Sequence, residues 1–204
     1  MRATPAGRRS GVSLIEVLIA MSLFAVIIGK ASEVFRSTRA VASSGISSMM
    51  VEDEARIVLD RIALAVMSSN RGSLAPQLAP GHSTEINFQI SRGVEAGVAA
   101  WNDPARIVLG GAAGNQVQWI QSVGLPEERT VVWTNDVQPL FGGELANGLD
   151  DNGNGLVDEP GLSFLIEGNK VTIRLCLGSV RAGVMTTRSV ETTVAVRNHP
   201  VPTP

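Results

Sequence analysis

A single carboxylate lies near the start of the longest apolar run in this chain. The run, residues 12–29, contains Glu16 as its one charged side chain. An acidic side chain costs on the order of 2.5–3.5 kcal/mol at the centre of a bilayer and less near an interface. Such a cost is tolerable when another group supplies a positive charge. Glu16 therefore predicts an ion-pairing site inside a membrane, although an interfacial residue that reaches the lipid headgroups is the alternative.

A second cluster of polar side chains has the spacing of a calcium-binding loop. Oxygen-bearing side chains recur at alternate positions from Asp150, with Gly155 at the sixth place, where such a loop turns sharply. The twelfth place is Gly161 rather than the usual glutamate, so Glu159 is the candidate substitute, provided that the chain bends at Pro160. The predicted calcium ligands are Asp150, Asn152, Asn154, the carbonyl oxygen of Leu156, Asp158 and Glu159.

The few formal charges of this loop predict weak calcium binding, at about 10⁻⁴–10⁻³ M. A bound ion would pin a long loop to the neighbouring sheet. The alternative is a solvated Asn/Gly turn between two strands. Structural Ca²⁺ is the only cofactor that the sequence predicts.

The apolar run has the length of one membrane crossing. Its 18 residues form a helix of ~27 Å, close to the ~30 Å hydrocarbon core of a bilayer. Arg2, Arg8 and Arg9 precede the run and only Lys30 follows it closely. This asymmetry predicts a cytoplasmic N-terminus and an exported remainder.

The segment from Arg8 to Glu16 resembles the N-terminal signal of the type IV pilin and pseudopilin superfamily. The resemblance rests on a basic leader that ends in Gly11, an apolar run after it, and Glu16 five residues beyond that glycine. It implies that a membrane prepilin peptidase cleaves between Gly11 and Val12 and methylates the new terminal amine of Val12. Most members carry Phe where this chain has Val12. The resemblance also implies that Glu16 pairs with the terminal amine of a neighbouring subunit during assembly.

Other N-terminal signals fit the sequence less well. A secretory signal peptide needs small residues in an A-x-A-like arrangement after the run, and residues 30–33 read KASE. A lipoprotein signal needs a cysteine there, and the single cysteine is Cys176. A plain membrane anchor leaves Glu16 unexplained.

Helical periodicity continues beyond the run to about residue 70, which predicts one helix of roughly 55 residues, ~80 Å long. Short alternating segments follow, two of them joined by the hairpin signal Gly168-Asn169. We predict an α+β, pilin-like fold in which the amphipathic half of the helix packs on an antiparallel β-sheet. The predicted strands are 85–91, 106–109, 116–123, 130–133, 162–167, 170–177 and 191–197.

The predicted organisation has five parts. They are a cytoplasmic leader (1–11), a transmembrane and filament-core helix (12–29), an amphipathic second half (30–70), an exported β-rich domain (71–197) and a Pro-rich tail (198–204). Trp101, Trp119 and Trp133 are predicted to pack across strands and in the core, and Cys176 to be a small buried hydrophobe.

Composition argues against two classes of function. Removal of the three leader arginines leaves 14 Lys and Arg against 19 Asp and Glu, and this acidic balance does not favour a nucleic-acid partner. No nucleophile–base pair or pair of catalytic acids stands out, so the sequence predicts a protein that is not an enzyme.

The resemblance extends more loosely to J-type pseudopilins and PilW-like minor pilins, through residues 51–70 and 189–198. It implies a structural subunit at the initiation site or tip of a type II secretion pseudopilus or type IV pilus, and hence a role in pilus function or protein transport. The implied partners are other pilin or pseudopilin subunits, the prepilin peptidase and the inner-membrane assembly platform. The implied location is the inner membrane, with a periplasmic domain. The alternative is a membrane-anchored, exported calcium-binding adhesin or sensor that does not polymerise.

Overall fold

The computed structural model describes residues 13–76, 81–181 and 183–196, apart from the side chains of Ala40, Ser43 and Ser44. The predicted leader (1–11), Val12 and the tail (198–204) lie outside the described residues. The chain divides into two compact units after Ile46.

The N-terminal half of the chain is dominated by one α-helix, α1, over Leu14–Met67. The prediction placed its end near residue 70. The helix ends earlier, at Met67, and the hydroxyl groups of Ser68 and Ser69 donate to the carbonyls of Leu64 and Val66, each at 2.6 Å. The next residues pair with a strand region instead, and the amide of Asn70 donates to the carbonyl of Gln89 at 2.9 Å. A short 3₁₀ turn, Arg71–Ser73, follows.

Nine strands follow in the described part of the chain, all in antiparallel pairs, and the α+β class is confirmed. Their bounds are β1 Glu85–Phe88, β2 Ser91–Glu95, β3 Val98–Trp101, β4 Ala105–Gly110, β5 Gln116–Gln121, β6 Arg129–Thr134, β7 Leu162–Glu167, β8 Lys170–Arg181 and β9 Val184–Ala195. They form three sheets, with the orders β1-β4-β5-β6, β2-β3 and β7-β8-β9. The predicted hairpin at Gly168-Asn169 is present, with Glu167 paired to Lys170.

The second unit has one hydrophobic core, to which the end of α1 and both larger sheets contribute. Val58, Ile62 and Val66 lie one helical turn apart and are at most 1% exposed. This spacing places them on one face of the helix, as the periodicity predicted. The strand residues of the same core include Ile86, Phe88, Ile107, Val117, Phe164, Ile173 and Leu175.

Two of the three tryptophans behave as predicted. The Trp119 and Trp133 rings lie 5.5 Å apart on β5 and β6 and pack against the core. Trp101 is half-buried at the end of β3, opposite Ser91, and does not belong to the core cluster.

Strand β8 has two buried faces. Ile173, Leu175 and Leu177 point into the core, and the alternation of side chains places Arg174 and Cys176 on the opposite face. Both of these are nonetheless buried, at 8% and 2% exposed. The segment between β6 and β7 lies against them, since the Gly142 amide donates to the Ser189 hydroxyl on β9 and Arg174 lies within 4 Å of Glu159.

Candidate functional site

Glu16 lies in the first turn of α1, where its acidic side chain complements the positive end of the helix dipole. The Ser13 carbonyl accepts the amides of Glu16 and Val17, at 3.0 and 3.2 Å, and so begins the helix. The Glu16 side chain is exposed, and no ion pair to it occurs among the described residues. Within the described part of the chain, this carboxylate is therefore available to a partner.

The helix around Glu16 is apolar on every side. The segment Leu14–Arg39 has the length and apolar composition to cross a membrane, and none of it is buried within the chain. Large side chains such as Leu14 and Phe24 are 80% and 63% exposed. Apolar surface of this extent requires lipid or protein around it.

The second candidate site is the acidic loop, defined as residues 150–159, between β6 and β7. The Asp150 carboxylate accepts three amides, from Gly153, Asn154 and Gly155, at 2.7–3.1 Å. The left-handed φ of +87° at Gly155 confirms the sharp turn predicted for that position. The side-chain oxygens of Asn152 and Asn154 each accept an amide two residues further on, at 3.0 and 2.9 Å. These bonds wind the chain around Asp150.

Three further carboxylates tie the acidic loop to the chain just before it. Asp151 accepts the amide of Leu145 and the side-chain amide of Asn147, at 3.2 and 2.9 Å. Asp158 accepts the amides of Asn147 and Gly148, at 3.0 and 2.9 Å. Glu144, only 6% exposed, accepts the amides of Asn152 and Asp158, at 3.2 and 3.1 Å. The sequence analysis did not identify Glu144, because nothing in the local pattern marks an acid outside the loop as part of it.

Glu159 closes the acidic loop and is fully buried, at 0% exposed. Its Oε1 accepts the Asn154 side-chain amide at 2.7 Å, whereas its Oε2 has no hydrogen-bond partner among the described residues. Burial raises the pKa of Glu159 above its ordinary value, although the Asn154 hydrogen bond and the Arg174 charge act in the opposite direction. The bond from the Phe141 amide to the Glu159 carbonyl, at 2.9 Å, fixes the backbone here.

Arg174 is the cation closest to Glu159 on the described part of the chain. Its Nε lies 3.8 Å from Glu159 Oε1, which is beyond hydrogen-bond range, and it bonds the carboxylate of Glu191 on β9 instead. Sequence reasoning missed Arg174 as a site residue. The available signal was a charged residue between two core positions of a strand, Ile173 and Leu175.

The predicted calcium ligands thus lie together in one loop, but acidic side chains alone do not form a metal site there. No group of three or more His, Cys, Asp or Glu side chains that could hold a metal occurs in residues 13–76, 81–181 and 183–196. An ion in this loop would depend on the amide oxygens of Asn152 and Asn154 and on the Leu156 carbonyl as well. Ligands of those types are usual for calcium.

Cys176 is a free, buried thiol, as predicted. Burial raises the pKa of Cys176, and hydrogen bonds with Ser189 and the Gly142 backbone only partly offset that effect. A protonated, enclosed thiol is a poor nucleophile, so Cys176 serves packing on the outer face of β8.

Comparison with known families addresses the N-terminal site. Residues 7–29 match the model of the prokaryotic N-terminal methylation motif. The chain carries a type IV pilin-like prepilin signal. Neither a curated protein nor a solved structure matches the chain.

The prepilin signal includes Gly11, Val12 and Glu16, the residues on which the resemblance was based. Gly11 and Val12 precede the first described residue, and Glu16 follows it on α1. The signal and the apolar helix together support membrane anchoring of the chain. They also indicate a structural protein of the pilin-like or pseudopilin type, processed by a prepilin peptidase and assembled with other pilin subunits. The acidic loop lies outside the matched residues.

Proposed function

We propose that this protein is a minor pilin or pseudopilin, a structural subunit of a type II secretion pseudopilus or a type IV pilus. The observation that carries the proposal is the methylation motif at residues 7–29, which continues directly into an apolar helix with no buried face. A methylation signal on such a helix suits a subunit that moves from the bilayer into a filament of similar helices.

The proposed assembly step depends on Glu16. Cleavage between Gly11 and Val12 by the prepilin peptidase creates a terminal amine, which is methylated and keeps its positive charge. Glu16 of one subunit pairs with that amine on its neighbour, because an unpaired carboxylate in an apolar environment is costly. The pairing fixes the axial register of the two helices.

The proposed position in the filament is the initiation site or tip. Residues 51–70 and 189–198 resemble J-type pseudopilins and PilW-like minor pilins. In this arrangement the N-terminus faces the cytoplasm, the β-rich domain lies in the periplasm, and an inner-membrane assembly platform receives the subunit. The exposed side chains of the helix would then contact other subunits.

A Gly11→Val variant tests whether processing precedes assembly. A branched side chain at the cleavage position is expected to block the peptidase, so the precursor accumulates in the membrane and the protein disappears from sheared filaments. Gly7→Val is the matched control, since it alters another leader glycine away from the predicted bond. Immunoblots of membrane and filament fractions give the measurement.

A different result for the wild-type protein would favour the alternative, a membrane-anchored protein that does not polymerise. If wild-type protein stays entirely in the membrane fraction while filaments assemble normally without it, the chain is an anchored protein that does not polymerise.

A further inference from the structure

A small pocket lies at one end of the sheet β1-β4-β5-β6, outside the acidic loop. Ala105 at the start of β4 lines it together with Trp119 and Gln121 near the end of β5, since antiparallel pairing brings these positions to the same edge. The pocket encloses about 190 Å³, which is below the roughly 300–1,000 Å³ of pockets for drug-sized ligands. Its size therefore suits one small ring. We call it the Trp119 pocket.

One side of the Trp119 pocket is apolar. Ile90 and Trp119 pack against the core, and Ala105 is only 6% exposed. The Nε1 atom of Trp119 is buried, so the indole presents carbon atoms to the pocket rather than its donor. The Trp133 ring, 5.5 Å away, packs beside this indole. The pocket thus contains a preformed patch of aromatic carbon.

The other side of the pocket is polar and carries no positive charge. Its polar side chains are Asn102, Asp103, Gln121 and Ser122, and no Lys or Arg is among the described residues that line it. The two side-chain amides can both donate and accept hydrogen bonds. The Asp103 carboxylate accepts the Ser122 hydroxyl at 3.1 Å. This set of groups matches neutral hydroxyls and lacks the cation that recognises a phosphate or carboxylate.

Ser122 has a backbone conformation that is uncommon for residues other than glycine. Its φ is +51°, in the left-handed region. The bond to Asp103 and the bond from the Val123 amide to the Pro104 carbonyl, at 2.9 Å, fasten this turn to the loop before β4. Strained residues of this kind cluster at binding sites, and a glycine here would relieve the strain but lose the hydroxyl. The conformation of Ser122 therefore supports a binding role for the pocket.

We propose that the Trp119 pocket binds one neutral sugar ring of a saccharide. The C–H face of a pyranose is apolar and packs on the carbon surface of an aromatic ring. Its hydroxyls both donate and accept, as the amides of Asn102 and Gln121 do. The carboxylate of Asp103 accepts a further hydroxyl and repels phosphorylated or acidic sugars. This inference is independent of filament assembly.

The test is saturation-transfer NMR on the full-length chain in a detergent without a sugar headgroup, because a maltoside or glucoside would compete for the pocket. The probes are glucose, galactose, mannose and N-acetylglucosamine, which distinguish neutral hexoses from the N-acetylated sugars of cell walls. At least one should bind with a Kd of about 1–5 mM, the range for a ligand of roughly a dozen non-hydrogen atoms.

Two results of this titration would count against the proposal. Absence of binding by all four sugars up to about 50 mM, tenfold above the expected range, would overturn it. The 6-phosphate of the sugar that binds should bind about two- to fivefold more weakly, as repulsion from one exposed carboxylate gives. Equal or tighter binding of the phosphate would contradict the preference for a neutral ring.

Variants of the polar side locate the site. Asn102→Ala and Gln121→Ala should each weaken binding about three- to tenfold, as loss of one hydrogen bond does, and neither residue belongs to the core. Gln116→Ala is the matched control, since it makes the same change at the other end of β5, outside the pocket, and should bind normally. Unchanged affinity in both Asn102→Ala and Gln121→Ala would refute the location.

A Ser122→Gly variant separates binding from stability. Glycine adopts the left-handed φ without strain, so the midpoint of thermal unfolding should not fall. Sugar binding should still weaken about three- to tenfold, because the hydroxyl is lost. A variant that binds the sugar as tightly as the wild-type protein would show that the Ser122 hydroxyl has no part in the site.

Discussion

A Glu16→Ala variant is expected to be inserted into the membrane and cleaved normally, yet to be absent from filaments. Its apolar helix remains long enough to cross the bilayer, so insertion does not depend on the carboxylate. Assembly does, because the variant can no longer pair with the terminal amine of the neighbouring subunit. An unpaired charge at membrane depth costs on the order of 2.5–3.5 kcal/mol, and the variant leaves the neighbour's terminal amine unpaired. Incorporation should therefore fall by well over tenfold.

Glu33→Ala is the matched control for this variant. Glu33 lies on the same helix and pairs with Lys30 at 2.9 Å, but both side chains are more than 70% exposed. Such exposed pairs contribute little, about 0–1 kcal/mol. Immunoblots of sheared filaments and membranes compare the three proteins. Wild-type incorporation of Glu16→Ala would show that this carboxylate has no role in assembly.

An Arg174→Met variant is expected to lose about 3–5 kcal/mol of unfolding free energy. The substitution leaves Glu159 buried without its nearest cation and removes a bond to Glu191. Chemical denaturation followed by tryptophan fluorescence measures the change, with Arg129→Met as an exposed control on β6.

The double variant Arg174→Met/Glu159→Gln separates charge from packing. Removal of both charges should recover most of the lost free energy, since the buried carboxylate no longer needs a partner. If the double variant is no more stable than the single one, Arg174 contributes through packing of its aliphatic stem and the electrostatic account is wrong.

The elements that sequence predicts well here are those with strong local patterns. Val58, Ile62 and Val66 repeat with the helical period, and Gly168-Asn169 supplies the left-handed turn that a tight hairpin needs, with φ of +63° at Gly168. The strands β2 and β3 were missed because Ser91–Glu95 contains a glycine and mostly exposed polar residues, with no alternation of apolar side chains. The division into three sheets depends on pairings between distant segments, which local patterns do not encode.

The pair of strands β8 and β9 also extends beyond what local sequence patterns predict, at its exposed end. The prediction ended β8 at residue 177 and began β9 at residue 191, whereas the two strands pair as far as Arg181 and Val184. Val180 and Val184 at that end are 67% and 59% exposed, so burial does not produce an alternating pattern there. Cross-strand hydrogen bonds alone extend the β8–β9 hairpin there.

For the candidate sites, sequence spacing identified the local residues and missed the distant ones. Glu16, and the run from Asp150 to Glu159, follow from position along the chain. Glu144 and Arg174 reach the acidic loop only through the folded structure, since they approach it from the preceding segment and from β8. Burial of Glu159 likewise depends on tertiary packing.

The most direct test of the central claim is the mature N-terminus of the protein isolated from its native membrane, determined by mass spectrometry. The account predicts a terminal peptide that begins at N-methylated Val12. A chain that retains residues 1–11, or one that is cut near Ala31, would contradict processing as a prepilin and remove the basis for the proposed assembly.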